Sequence, residues 1–177
     1  LPIYSYTGMS PSTYMTYDIA ALQYIYGANT TSDADTTHQT LSFTKDWQGF
    51  ETVWAADGGT LNASAMTRSN IIDLREGAYS SIGIQTYGKT TFGMNNVGLA
   101  FGSYLDTIQG GTSTDAFFVD ASNIDTTQTI DGGAGNDIVY LNGSASEWSV
   151  SDWDGISNTN GTATNNLTQK TIALNRS

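Results

Sequence analysis

Cysteine is absent from this chain of 177 residues, so neither a disulfide framework nor a thiolate zinc site is available. Histidine occurs once, as His38, which excludes a histidine-rich metal site and leaves a single candidate base for nucleophilic catalysis. His38 lies in a Thr-rich stretch and reads as a solvated or hydrogen-bonded side chain rather than a ligand. Basic residues are scarce: six Lys and Arg stand against seventeen Asp and Glu, for a formal charge of -11. That balance argues against nucleic acid and anionic membrane surfaces as partners and leaves room for divalent cations. No run of about eighteen apolar residues occurs, and no basic-plus-apolar leader opens the chain, so neither a membrane span nor an N-terminal secretory signal is expected within it. The start at Leu1 reads as the interior of something longer.

What is present is a β-rich texture. Only one segment carries helical periodicity: Ser12 or Thr13 can cap it, Met15, Ile19, Leu22 and Ile25 or Tyr26 recur every three to four residues, and Gly27 stops it. This predicts one helix over 12–27 with an apolar face packed on a sheet, and Tyr14, Tyr17, Tyr24 and Tyr26 as packing residues. Beyond Asn29 the chain breaks into short runs, among them Leu41 to Phe43, Glu51 to Trp54, Ile71 to Leu74 and Ala116 to Val119, separated by Gly, Asn, Asp, Ser and Thr. These read as many short strands.

Gly132-Gly133-Ala134-Gly135-Asn136-Asp137-Ile138-Val139-Tyr140 fits the nonapeptide G-G-x-G-x-D-x-U-x, in which U is a large apolar residue. The glycines permit backbone conformations that aim carbonyl oxygens inward, the aspartate adds charge, and the apolar residue buries a short strand beneath the loop. Gly110-Gly111-Thr112-Ser113-Thr114-Asp115-Ala116-Phe117-Phe118 keeps the glycine pair, the Asp and the apolar closure, with Ser113 replacing the third glycine. Asp120-Ala121-Ser122-Asn123-Ile124-Asp125 has the length of a degenerate loop between them. In a parallel roll, successive nonapeptides fall on opposite edges, so Asp115 and Asp137 should stack on one edge and flank one cation. The expected ligands are their carboxylates, the carbonyls of Gly111, Gly133 and Gly135, and, at the degenerate loop, Asp125. Calcium, which takes oxygen ligands, is the expected ion.

The chain resembles the C-terminal β-roll domain of serralysin-type secreted zinc metalloproteases, a branch of the calcium-binding RTX proteins, over roughly residues 1–140. Residues Tyr17 to Asn29 are similar to the helix that joins protease to roll in that family. Glu51 to Leu61 resemble its tryptophan-led calcium loop, and Asn70 to Leu74 with Ser80 to Gly83 resemble the strand and turn after it. The resemblance implies Asp106, Asp57 and Asp35 as further calcium ligands, with Asp33 as a substitute where the family's R-x-G-D-T turn has lost its Gly and Arg. Departures are informative: Ala55 follows Trp54 and no Asp follows Gly59, so Asp57 is the sole carboxylate of that loop. Pro2 to Tyr6 resemble the tail of the family's Met-turn, with Tyr4 at the methionine position, but the His-Glu-x-x-His zinc motif is missing. The resemblance therefore implies the family's non-catalytic half.

The expected fold is mainly β: a parallel β-roll or β-sandwich of short strands with one N-terminal helix. Residues 1–140 form the roll with its helix, and 141–177 supply capping strands and the tail of the same domain. The expected function is a non-catalytic calcium-binding module of a bacterial protein secreted by an RTX-type (type I) route, folding on extracellular calcium and supporting its parent's stability. The alternative is a carbohydrate-binding or adhesin module with a polysaccharide partner, in which Trp47, Trp148 and Trp153 stack on sugar rings. Glycine pairs without a trailing Lys exclude a phosphate loop. Oligomeric state is not legible.

Overall fold

Short strands bounded by turn residues wind here into a parallel coil. The structure, a computed structural model, describes residues 11–29, 39–87, 90–151 and 161–175. Its elements are one helix, α1 (Thr16–Tyr26), and fifteen strands: β1 (Gln39–Ser42), β2 (Glu51–Val53), β3 (Gly59–Asn62), β4 (Ile71–Asp73), β5 (Tyr79–Ser80), β6 (Gln85–Tyr87), β7 (Thr90–Phe92), β8 (Val97–Leu99), β9 (Thr107–Gln109), β10 (Ala116–Val119), β11 (Thr127–Asp131), β12 (Ile138–Leu141), β13 (Trp148–Ser151), β14 (Gly161–Asn165) and β15 (Thr171–Asn175). The expected mainly-β architecture, with mostly parallel strands and one helix near the N-terminus, is what is found.

Seven strands form one wall, in the order β1-β3-β9-β11-β15-β14-β13. The opposite wall is made of two three-stranded sheets, β12-β10-β4 and β2-β8-β5. The chain alternates between the walls: β9 to β10, β10 to β11, β11 to β12. Each return therefore lands beside the strand laid down one layer earlier, and the pairing is parallel.

Alternation along the strands builds the core, because successive side chains point to opposite faces. Leu61, Ile108, Ile130 and Leu174 stand in one row across β3, β9, β11 and β15. Ile72, Phe117 and Val139 form a row across β4, β10 and β12. All seven belong to one apolar cluster, and only Val139 is less than fully buried. Burial of each such side chain stabilises the fold by about 1.5–3 kcal/mol.

The C-terminal residues extend one wall only. β13 pairs antiparallel with β14, β14 antiparallel with β15, and β15 parallel with β11. The facing sheet stops at β12, which leaves an open, mostly apolar cleft of about 270 Å³ lined by Ile138, Val139, Leu141, Val150, Ala163 and Leu174, with Asp137 among them.

The helix departs from expectation at its start and on its faces. Ser12 and Thr13 do not cap it: Ser12 donates from both its amide and its hydroxyl to the Phe50 carbonyl, and Thr13 Oγ1 accepts from the Thr52 amide. Those hydroxyls tie the chain to β2, so the helix begins later, with the Asp18 carboxylate accepting from the Met15 amide at 3.1 Å. It stops at Gly27 as expected, whose amide donates to the Gln23 carbonyl. Among the described residues no sheet covers the apolar face beyond Ile19, which is half-buried. Thr16 is its only buried residue, Tyr24 is 92% exposed, and Tyr14, Tyr17, Leu22, Ile25 and Tyr26 are also exposed. The helix touches the body through Thr16 against Gly98, Gln23 donating to the Phe101 carbonyl, and Tyr17 beside Phe101.

Candidate metal centre

Three turns stack on one edge of the coil, joining β3 to β4, β9 to β10 and β11 to β12. They comprise residues 63–70, 110–115 and 132–137, so the first is longer by two residues, absorbed in a turn at Ser64 and Ala65. The register of the strands leaving these turns aligns them: Ala116 pairs with Ile71 on one side and Ile138 on the other. Asn70, Asp115 and Asp137 therefore occupy the same position in three successive layers, and the expected stacking of the two glycine-pair loops on one edge is observed.

These residues form a hydrogen-bonded ladder. Asp115 is fully buried. Its Oδ1 accepts from the Asn70 amide at 2.7 Å and the Asn70 side-chain Nδ2 at 2.9 Å, and its Oδ2 accepts from the Gly111 amide at 2.6 Å. One layer on, the Asp115 amide donates to Asp137 Oδ1 at 2.8 Å. Asn70 closes the lower end, with its Oδ1 accepting from the Gly83 amide. Burial pushes the Asp115 carboxyl above the usual carboxylate range, against the donated hydrogen bonds, which pull it down.

The glycine pairs are required by close approach. A Cβ at Gly110 would strike the Gly132 carbonyl and come within 2.7 Å of Asp115 Oδ2. At Gly133, where φ is +74°, it would collide with the Gly111 carbonyl and lie 3.3 Å from the Gly110 carbonyl. The paired glycines thus let the carbonyls of one layer pack directly against the backbone of the next. Beside them lies a cleft of about 280 Å³ whose lining includes Gly110, Gly111, Gly133, Gln109 and Asp131. Asp131 Oδ1 accepts from the Gly133 amide at 3.0 Å. The donor set is all hard oxygen and fits calcium rather than a softer metal. It is also partly engaged, because Asp115 Oδ1 already takes two N–H groups and the Gly111 carbonyl accepts from the Ala134 amide. Among the described residues no three acidic or histidine side chains gather closely enough to hold an ion, so backbone carbonyls would supply most ligands.

Gly135 lies on this edge too, within the 132–137 turn, whereas three of the expected aspartates do not join it. Asp57, Asp106 and Asp125 lie on the opposite edge, in or beside the turns 54–58, 100–106 and 120–126. There Asp106 packs against Gly58, and the Tyr104 phenol is pushed up by burial first and then by Asp125, Asp106 and Asp57. The 120–125 segment is no glycine loop. Asp120 caps a short 3-10 turn, its Oδ1 accepting from the Ser122 amide and hydroxyl. Asp33, Asp35, His38, Tyr4 and Trp153 lie outside the described residues.

Two of the three tryptophans that the alternative carbohydrate reading would stack on sugars are packing residues. Trp47 meets Phe43 edge-on at 4.7 Å, and Trp148 is 8% exposed with its indole N–H donating to the Asn142 carbonyl at 2.8 Å. Sequence reasoning misses Asn70 and Asp131. A signal exists for each: Asn70-Ile71-Ile72, Asp115-Ala116-Phe117 and Asp137-Ile138-Val139 share one pattern, and Asp131 directly precedes a glycine pair. A comparison with protein-family models gives no match, and a search of curated proteins likewise gives none.

Proposed function

We propose that this chain is a non-catalytic calcium-binding β-roll module of a secreted bacterial protein, exported by the RTX-type route that its sequence resemblance implies. The observation that supports the reading is the stacking of the 110–115 and 132–137 turns, which sets Asp115 and Asp137 in successive layers beside a cleft lined by Gly110, Gly111, Asp131 and Gly133. The residues that would hold calcium are Asp115 and Asp137 with the carbonyls of Gly110, Gly111 and Gly132, and Asp131 at the mouth. The ion would supply a positive centre that offsets carboxylate repulsion in a chain of net charge -11.

The residues themselves do the rest. Asn70 and the Gly111 amide orient Asp115, and Asp115 in turn positions Asp137 through its own amide. Extracellular calcium sites of this class bind at roughly 10⁻⁴ to 10⁻³ M, so millimolar calcium adds only about 1 kcal/mol per site. The module would therefore be stabilised by calcium rather than switched on by one ion. The test is thermal unfolding followed by circular dichroism in EDTA, in millimolar calcium and in equimolar magnesium. A calcium-specific rise in melting temperature is expected, and identical melts in all three conditions refute the reading.

A further inference from the structure

The outward face of the β4-β10-β12 sheet carries a graded set of side chains that neither the core nor the glycine turns use. Register sets it out as three rows. Ile71, Ala116 and Ile138 form the first, and Asp73, Phe118 and Tyr140 the second. Two residues further along each strand direction stand Arg75, Asp120 and Asn142.

The second and third rows are fixed by contacts among themselves. Phe118 and Tyr140 stack with ring centroids 4.6 Å apart and planes 13° apart. The Arg75 guanidinium lies 5.8 Å from the Phe118 centroid and donates to both oxygens of Asp73, at 2.8 and 2.6 Å. Asp120 accepts from Ser122 on one oxygen and from the Asn142 side-chain amide on the other. Tyr140 is 47% exposed, and β12 is the edge of its sheet, so no described strand covers the ring on the side away from Phe118. Beside the rings is a small cleft of about 140 Å³ lined by Arg75, Phe118, Val119, Tyr140, Leu141 and Asn142.

We propose that this face is a binding subsite for a neutral hexopyranose unit of an oligosaccharide. A pyranose has an apolar C–H face and a rim of hydroxyls, each of which both donates and accepts. The Tyr140 ring offers the apolar wall. Arg75 has five N–H groups, of which Asp73 takes two, and the others have no partner among the described residues. Asn142 keeps its side-chain oxygen as an acceptor, and Asp120 stands between them. Donors and acceptors thus alternate along one row, so hydroxyls on the rim of one ring can both donate and accept there. Arg75 with Asp73 and Asp120 leaves one net negative charge on the patch, so a neutral sugar suits it better than an anionic one. The inference is independent of calcium.

The test is an NMR titration of the full chain with neutral hexaoses of β-1,4-glucose, β-1,3-glucose, α-1,4-glucose and β-1,4-mannose, in calcium and in EDTA. At least one hexaose should give saturable shifts at Phe118, Tyr140, Asn142 and the Arg75 Nε. Tyr140→Thr, which keeps a good strand former, should weaken that binding roughly tenfold. Tyr24→Ser, at an exposed aromatic on the helix, should leave it unchanged. Absence of saturable shifts with all four sugars overturns the proposal. So does undiminished binding by Tyr140→Thr.

Discussion

Replacing Asp115 by asparagine tests whether the turn stack is held by hydrogen bonds or by an ion. The substitution keeps shape and removes charge. Its amide can present oxygen to the two Asn70 donors, and then its NH₂ meets the Gly111 amide, which now sits 2.6 Å from Oδ2. Flipped, it confronts both Asn70 donors with nitrogen. Either orientation sets donor against donor in a buried place. A lost charge-assisted hydrogen bond with its donor left unsatisfied costs about 1.5–3 kcal/mol, and release of the carboxylate from its burial penalty offsets part of that. The net expectation for Asp115→Asn is about 2 kcal/mol of destabilisation. Asp115→Ala strands three N–H groups and should cost about 4 kcal/mol. In a chain of this size about 1 kcal/mol lowers the melting temperature by roughly 2–4 °C, so Asp115→Asn should lose about 4–8 °C. The assay is urea unfolding followed by tryptophan fluorescence, in EDTA so that no metal contributes. Asp115→Asn within about 0.5 kcal/mol of the parent in EDTA would refute the ladder as the turn's support. A loss that appears only in calcium would make Asp115 a ligand first and an anchor second.

The two layers can also be made more alike. Asn70→Asp sets a carboxylate where Nδ2 now donates to Asp115, so in EDTA it should destabilise by about 3 kcal/mol, and calcium should restore more stability to the variant than to the parent. Urea midpoints with and without calcium check it. Gly133→Ala and Gly27→Ala separate backbone strain from collision, since φ is +74° and +83° respectively while only at Gly133 would the added Cβ meet a carbonyl. Gly27→Ala should cost about 1–3 kcal/mol from backbone strain alone and Gly133→Ala more, read from the same unfolding curves. On the opposite edge, burial pushes Asp120 up, but the Ser122 and Asn142 hydrogen bonds and Arg75 together leave its carboxyl below the usual range. A depressed folded-state value means a contribution present above the unfolded carboxylate range and lost as pH falls through the folded value. Acid unfolding below about pH 4 should therefore be shallower in Asp120→Asn than in the parent, as followed by circular dichroism.

The parts of the fold legible in the sequence are those that local chemistry decides. Gly132-Gly133 with Asp137, and Gly110-Gly111 with Asp115, announce their turns because no other residue fits so close beneath a neighbouring carbonyl. Two-residue alternation then assigns Phe117 and Ile130 to the interior without reference to the rest of the chain. The helix is misread for the opposite reason. A 3.6-residue repeat of Met15, Ile19 and Leu22 states that an apolar face exists, not what covers it, and here Leu22, Ile25 and Tyr26 stay exposed. Its cap is misplaced in the sequence reading because Ser12 and Thr13 are equally able to bond a neighbouring strand, and the Phe50 carbonyl and Thr52 amide lie beside them in space rather than in sequence.

The same limit explains the tryptophans and the acids. An indole reads alike in sequence whether it lies against a sugar or, as Trp148 does, donates to the Asn142 carbonyl inside the capping sheet. Asp57, Asp106 and Asp125 look like Asp115 as residue types, yet the coil sorts them onto opposite edges according to which connection each occupies. Asn70 shows the reverse. It carries no charge, but register makes it the equivalent of Asp115 and Asp137, and its side-chain amide bonds directly to the carboxylate of the next layer. An amide at that point supplies with one N–H part of what a cation would supply to the same oxygen. The first layer of the stack is therefore built to stand without an ion, and on the proposed reading calcium should act in the interval between Asp115 and Asp137, where carboxylate follows carboxylate.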